Sequence, residues 1–337
     1  MQSTPTCTMT KLLIVVHHEF DLWNVPAGFS ERLRTDFPDI EVVHRRSYEG
    51  AEEHLRDCEI LFAFALRSEQ LKLAEKLRWM HTPTAAVHSL LFPEMVTSDV
   101  VLSNAREVHG PVVAELVIAV IFALAKKIPQ AARLQRKHVW GKSAIWNDGP
   151  RPREVSGATL GLIGLGGIGR AVARMASALG MRVIAARECP EKERPQGVEA
   201  VYGPAEIDGM VSQSDFVVVA APLTEATRGL INADRLAAMR PNAYLINVGR
   251  GPHVDIAALV DALRNRRIAG AALDVFDQEP LPAESPLWDL ENLLITPHTG
   301  SFTEKLWQRH YSVFSENLRR YLAHEPLLFV VDKQKGY

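Results

Sequence analysis

The segment Thr159-Leu-Gly-Leu-Ile-Gly-Leu-Gly-Gly-Ile-Gly-Arg170 constrains this chain most, because a buried-looking apolar run leads straight into spaced glycines at mid-chain. Thr159 to Ile163 reads as a strand, and Arg170 to Leu179 continues with the alanine-rich character of a helix. Between them Gly164, Gly166 and Gly169 supply a G-x-G-x-x-G spacing. The first glycine permits a tight strand-to-helix turn, the second lets backbone approach a pyrophosphate, and the third allows close packing of helix on strand. The helix start, at Gly167 and Ile168, then directs unpaired N–H groups at the phosphates. A second strand candidate, Arg182 to Ala186, follows, so the context favours dinucleotide binding over a plain glycine turn.

The chain has 337 residues, enough for two domains that each bury a core. Its net charge is −2 and it carries no long Lys/Arg block, which argues against a nucleic-acid or polybasic membrane partner. Cys7, Cys58 and Cys189 lack metal or C-x-x-C spacing and are expected to be reduced thiols of a cytoplasmic protein. Pro111 to Ala125 is strongly apolar, but it contains Glu115 and falls short of the ~20 residues a membrane span needs. Pro111 suits a first helical turn and Lys126-Lys127 a last one; a helix so apolar is buried in a core or against another subunit. The polar stretch Met1 to Thr10 is expected to be a loose tail and not a signal peptide.

Strand-like runs at Leu12–Val16, Ile40–Val43, Glu59–Ala63, Trp79–His81 and Val100–Leu102 alternate with amphipathic segments at Gly28–Asp36, Ala51–Arg56 and Ser68–Leu77. After the glycine loop the rhythm resumes, with strand candidates at Phe216–Ala220, Tyr244–Val248, Gly270–Val275 and Leu293–Thr296. Leu236–Met239 and Ile256–Asn265 are helix candidates between them. The alternation predicts two α/β units with parallel sheets and helices on both faces. Phe302 to His324 reads as a helix that returns to the first unit, while Val139 to Val155 reads as a loop near the junction. Clefts between such domains commonly hold small molecules.

Three polar residues stand just beyond successive strand candidates: Arg250, Glu279 and His298. In open parallel sheets the ligand crevice lies beyond the carboxyl ends of the strands, so all three should face the edge that carries the glycine loop. A guanidinium holds a carboxylate bidentately and polarises a neighbouring carbonyl. An imidazolium gives the proton a carbonyl oxygen needs as hydride arrives at carbon, and a nearby carboxylate favours that charged form. Each residue alone would pass for an ordinary loop side chain; together they suit reduction of an anionic carbonyl compound. His17, His18 and Glu19 are adjacent residues that point apart, so no metal site is expected, and His109 and His253 read as ordinary loop residues.

From about Glu59 onward the sequence resembles the D-2-hydroxyacid dehydrogenase family. The matching motifs are the glycine loop, Ala221-Pro-Leu-Thr-Glu-Ala-Thr227, Asn247-Val-Gly-Arg-Gly251, Ala272-Leu-Asp-Val-Phe276 with Glu279-Pro280, and Thr296-Pro-His298. The resemblance implies two doubly wound domains: a Rossmann dinucleotide-binding domain, residues 106–301, inserted into a flavodoxin-like substrate domain, residues 1–105 and 302–337. It implies that Arg250 binds and polarises a 2-oxo acid, that His298 is the acid/base and that Glu279 is its partner. Pro222, Thr227, Val248, Gly249, Arg250, Asp274, His298 and Gly300 would border the cofactor, with Asp274 helping to fix the nicotinamide. The loop Thr84-Ala-Ala-Val87 would grip the substrate carboxylate through backbone amides of Ala85 and Ala86, alongside Arg250 and His298. The helix from Pro111 would pack in a homodimer.

Two departures from the family pattern stand out. Ala86-Val87-His88 replaces the usual Gly-Val-Asp, and alanine can supply the same N–H group if its φ is negative. At the end of the second strand, where an acidic residue would accept the ribose hydroxyls of NAD, Val183-Ile-Ala-Ala-Arg187 places a cation suited to a 2′-phosphate. The expected cofactor is therefore NADP, with NAD as the alternative in which Glu188 takes the acidic role. The expected activity is reduction of a small 2-oxo acid such as glyoxylate or hydroxypyruvate. Rival readings are a nucleotide-sensing, corepressor-like binding protein and a phosphite-type dehydrogenase.

Overall fold

A computed structural model describes residues 9–336; Cys7 and the first eight residues of the expected tail lie outside the described residues. The chain forms two compact units, one made of the residues up to 108 with those from 302 onward, the other of residues 109–301.

The first unit holds five parallel strands: β1 (Thr10–Val15), β2 (Ile40–Arg45), β3 (Ile60–Ala63), β4 (Trp79–Thr82) and β5 (Val101–Asn104). Their order is β2-β1-β3-β4-β5, the arrangement of flavodoxin-like sheets, with Leu12 paired to both Val42 and Ile60. β3 and β4 are buried at every position because helices cover both faces. One of those helices comes from the far end of the sequence. Leu306–Leu322 sets Phe314 against Phe62 and Trp79, at ring separations of 4.7 and 5.3 Å. Its Tyr311 and Tyr321 hydroxyls donate to Asp36 and Glu59, each at 2.6 Å, so polar anchors flank the apolar contact.

The second unit holds seven parallel strands: β6 (Thr159–Ile163), β7 (Arg182–Ala186), β8 (Ala200–Tyr202), β9 (Phe216–Val219), β10 (Tyr244–Asn247), β11 (Gly270–Leu273) and β12 (Leu293–Ile295). The order β12-β11-β10-β9-β6-β7-β8 is doubly wound, and its direction reverses between β6 and β9. Two apolar clusters sandwich this sheet, one built on Leu160, Leu162 and Val218, the other on Ile163, Val217 and Leu245. Helix Gly110–Ala125 contributes Val117, Ile121 and Leu124 to the first cluster. Its other side is less covered than its composition suggests: Glu115 and Phe122 are exposed.

Some elements differ from the sequence expectation. β8 has only three half-buried residues at a sheet edge, too few for a periodic signal. Ser68–Leu77 is helical only to Leu73, and the last helix begins at Leu306 instead of Phe302. The expected loop Val139–Val155 contains a short helix, Lys142–Asn147, whose residues are all at least partly exposed.

Candidate active site

The reversal of strand order between β6 and β9 leaves a crevice at their carboxyl ends, and the glycine loop follows β6 there. Gly164 adopts φ +103°, which a side chain rarely tolerates, and a Cβ would lie within 2.8 Å of the Ala220–Ala221 peptide. At Gly169 a Cβ would collide with the Gly164 carbonyl, so helix Gly167–Ala178 can sit this close to the strand only with glycine here. Gly166 is exposed, and nothing lies within 4 Å of where its Cβ would stand. An open backbone surface at the start of a twelve-residue helix, with first-turn N–H groups lacking intrahelical acceptors, fits a dinucleotide pyrophosphate.

Arg187 directly follows β7 and is partly buried, its Nη2 donating to the carbonyls of Lys192 and Glu193. The guanidinium therefore closes the loop after β7 instead of extending into solvent. Lys192, in the same loop, carries a second cation that the motif reading passed over.

The turn after β12 carries His298, whose φ is +53°, a left-handed conformation unusual for a residue with a Cβ. Asp274, just past β11, holds that turn. Its carboxylate accepts from Thr296 Oγ1 at 2.6 Å and from the N–H groups of Thr299 and Gly300 at 3.0 Å, while its carbonyl accepts from the His298 N–H at 2.9 Å. Burial pushes the Asp274 carboxyl above its ordinary pKa, and those hydrogen bonds oppose the shift. On the ring, His298 Nδ1 lies 2.6 Å from Glu279 Oε2. The other Glu279 oxygen accepts from the Phe276 N–H at 2.9 Å, so the carboxylate is itself fixed. Asp274, expected beside the nicotinamide, thus also fixes the His298 turn.

Arg250 follows β10, where Asn247 organises the strand end. Asn247 Oδ1 accepts from the Gly249 N–H at 3.0 Å, and its Nδ2 donates to the Arg250 carbonyl at 2.9 Å. Arg250 Nη1 donates to the Gly249 carbonyl at 2.7 Å. Burial lowers the guanidinium pKa, while the charge of Glu279 pulls it back up. Thr227, expected at the cofactor, uses its hydroxyl locally: Oγ1 donates to the Pro222 carbonyl and accepts from the Thr224 N–H, both at 2.8 Å. Val248 is buried beside this turn. His253 is fully buried and hydrogen-bonded, a position that its loop-like sequence context did not signal.

In the first unit, the loop after β4 presents a one-sided hydrogen-bond pattern. Carbonyls of Thr84, Ala85, Ala86 and Val87 accept from Ala105 N, Asn104 Nδ2, Thr84 Oγ1 and Leu90 N, at 3.0, 2.9, 2.6 and 2.8 Å. Among the described residues no acceptor takes the N–H groups of Ala85 or Ala86. Ala86 is also absent from the left-handed residues, which meets the condition set by its replacing glycine. The loop thus offers donors to an anion.

His18 Nδ1 accepts from the Phe20 N–H at 2.9 Å, and among the described residues no three His, Cys, Asp or Glu side chains are grouped to hold a metal ion. No described helix is long and apolar enough to cross a membrane.

Residues 118–300 match the model of the D-isomer specific 2-hydroxyacid dehydrogenase NAD binding domain. A glyoxylate reductase of Thermofilum pendens is 35% identical over 291 residues, covering 83% of each chain. The solved D-isomer specific 2-hydroxyacid dehydrogenase of Xanthobacter autotrophicus in complex with NADPH and MES superimposes with a TM-score of 0.82 at 30% identity, over 98% of this chain and 100% of that one. An NADPH-dependent glyoxylate/hydroxypyruvate reductase of Sinorhizobium meliloti, solved with NADP and sulfate, gives 0.80 at 27% identity over 97% and 100%. The family match spans more than half of the sequence and contains the glycine loop and the Arg250, Glu279 and His298 turns; this chain belongs to the D-isomer specific 2-hydroxyacid dehydrogenase family of enzymes.

Proposed function

We propose that this enzyme reduces glyoxylate or hydroxypyruvate to the corresponding 2-hydroxy acid, the D isomer where the product is chiral, with NADPH as its preferred cofactor. The observation that carries the reading is the 2.6 Å His298–Glu279 pair, on strand ends neighbouring the one that bears Arg250. The names of the Thermofilum and Sinorhizobium proteins support the substrate class. In this reading residues 109–301 form the dinucleotide-binding domain and the remainder the substrate domain.

Gly164, Gly166, Gly167, Ile168 and Gly169 would cradle the pyrophosphate, and Arg187 would meet the 2′-phosphate. Pro222, Thr227, Val248, Gly249 and Gly300 would border the nicotinamide half. Bound there, the cofactor supplies hydride to the carbonyl carbon. Arg250 binds the substrate carboxylate and polarises the carbonyl. His298 gives its Nε2 proton to the carbonyl oxygen, while Glu279 fixes the ring and stabilises the imidazolium. In the reverse direction neutral His298 takes the hydroxyl proton. Phe122, Ile128, Val139, Trp140 and Trp146 are exposed apolar side chains on and beyond helix Gly110–Ala125, which supports a homodimer built on that segment. The free thiols of Cys58 and Cys189 are consistent with a cytoplasmic setting.

The test is a panel of 2-oxo acids run against both NADPH and NADH, with phosphite run in the oxidative direction against NADP+ and NAD+. Fastest turnover of glyoxylate or hydroxypyruvate with NADPH is expected. Turnover of phosphite alone would move the enzyme to the phosphite-type reading. Cofactor binding with no turnover of any compound would favour the binding-protein reading.

A further inference from the structure

His253 is a fully buried polar side chain that the reaction outlined above does not use. Its ring is wedged between the turns that follow β9 and β10. Nδ1 lies 2.9 Å from the Arg250 nitrogen and 3.0 Å from the Arg250 carbonyl oxygen, and Nε2 lies 3.2 Å from the Pro222 carbonyl. The neutral Nε2–H tautomer bonds both turns, accepting from the Arg250 N–H and donating to the Pro222 carbonyl; the Nδ1–H tautomer could donate to the Arg250 carbonyl but would leave the Pro222 carbonyl without a donor from the ring. Burial lowers the imidazole pKa, which keeps the ring neutral. The fit is tight on the Gly249 side, where a Cβ would stand 2.9 Å from Nδ1 and Cε1. Glycine at 249 therefore makes room for the ring, and Asn247 and Thr227 brace the same two turns from outside.

We propose that His253 is a positioning residue that couples the substrate arginine to the cofactor turn, setting Arg250 and Pro222 relative to each other. This rests on the reading that Arg250 binds the 2-oxo acid and that Pro222 borders the cofactor. A ring held at the Arg250 backbone through one nitrogen and at the Pro222 carbonyl through the other transmits a displacement of either turn to the other, which two separately hydrogen-bonded loops would not do. Hydrophobic packing alone would be served by valine or leucine, which could make neither bond.

The two nitrogens can be tested separately. In His253→Asn the amide oxygen takes the place of Nδ1 and keeps the Arg250 N–H, but the Pro222 bond is lost. In His253→Gln the amide nitrogen reaches toward Pro222, but the Nδ1 acceptor is lost. With glyoxylate or hydroxypyruvate and NADPH, His253→Gln should raise the KM for the 2-oxo acid roughly three- to ten-fold, the worth of one neutral hydrogen bond, with the cofactor Kd near wild type. His253→Asn should show the converse, a weaker cofactor Kd with a smaller change in the 2-oxo acid KM. Equal loss of Tm in both variants with KM and Kd unchanged would overturn the proposal, because it would make His253 structural only. If Arg250→Lys also leaves the KM unchanged, the failure lies with the role of Arg250; if Arg250→Lys raises it and His253→Gln does not, only the His253 proposal falls. Should neither His253 variant fold, hydrogen exchange in the wild-type enzyme decides. The Arg250 amide should be strongly protected, and exchange at the rate of an open loop would overturn the bond on which the proposal stands.

Discussion

Glu279 holds His298 with one carboxylate oxygen and is held by the backbone with the other. The Nδ1···Oε2 distance is 2.6 Å, and the Phe276 N–H meets Oε1 at 2.9 Å. A carboxylate fixed at both oxygens orients the ring and leaves Nε2 as the nitrogen available to a substrate.

His298→Asn should therefore preserve the fold and cofactor binding while lowering kcat by about 10²–10⁴-fold, the usual contribution of a positioned acid. Glu279→Gln should lower kcat as well, and the double variant should lose less than the product of the two single losses, because the residues act as one unit. Steady-state kinetics on the four proteins would show it; strictly multiplicative losses would count against the pair.

Asp274 offers a contrast, because it acts on the turn and not on the ring. Asp274→Ala removes the acceptor of the partly buried Thr296 hydroxyl and Thr299 amide and strands the buried Gly300 amide, the last at a cost of about 1–3 kcal/mol. A clear fall in Tm together with a fall in kcat is expected, with Asp274→Asn milder on both. Thermal unfolding alongside kinetics distinguishes this from a direct contact with the nicotinamide, which would lower cofactor affinity without loss of stability.

Arg250→Lys should not behave as a conservative change. Lysine keeps the charge but loses the planar fork that holds a carboxylate and a carbonyl together. A large rise in KM for the 2-oxo acid with some loss of kcat is expected. Near-normal kinetics would mean that Arg250 acts as a diffuse charge only.

Cofactor choice can be read through Arg187. Arg187→Asp replaces attraction for a 2′-phosphate with repulsion and offers an acceptor to ribose hydroxyls. The ratio of NADPH to NADH affinity should fall, and added salt should weaken wild-type NADPH binding more than NADH binding. A wild-type preference for NADH that the substitution leaves unchanged would assign Arg187 to closing its own loop, through the carbonyls of Lys192 and Glu193.

Acid stability should be set in part by His81. It is fully buried in the first unit, stacked 5.4 Å from Phe62 with Nδ1 2.8 Å from Ser103 Oγ, and burial takes its pKa from 6.5 down to about 3. The unfolded chain binds this proton at higher pH than the native one. The stabilisation is thus complete above pH 6.5 and is lost progressively as pH falls from there toward 3, by at most about 1.4 kcal/mol per pH unit. His81→Asn keeps an acceptor near Ser103 and removes the titration. Denaturant unfolding at pH 7.5, 6 and 5 should show a shallower acid loss in the variant than in wild type; parallel curves would exclude His81 as the cause.

Sequence alone determined the features that short-range physics controls. Apolar runs separated by helical stretches specify buried parallel strands, and the glycine spacing at 164, 166 and 169 specifies a strand-to-helix turn with open backbone, since both depend on neighbouring residues. The positions of Arg250, Glu279 and His298 at strand ends were legible for the same reason. Only the tertiary structure decided what holds these residues in place. Asp274 meets a turn more than twenty residues away, His253 bridges to Pro222 across thirty-one positions, and helix Leu306–Leu322 completes a core begun at Leu12. A buried histidine and an exposed one look alike in sequence, because burial and hydrogen-bond partners are set by chain packing and not by local composition.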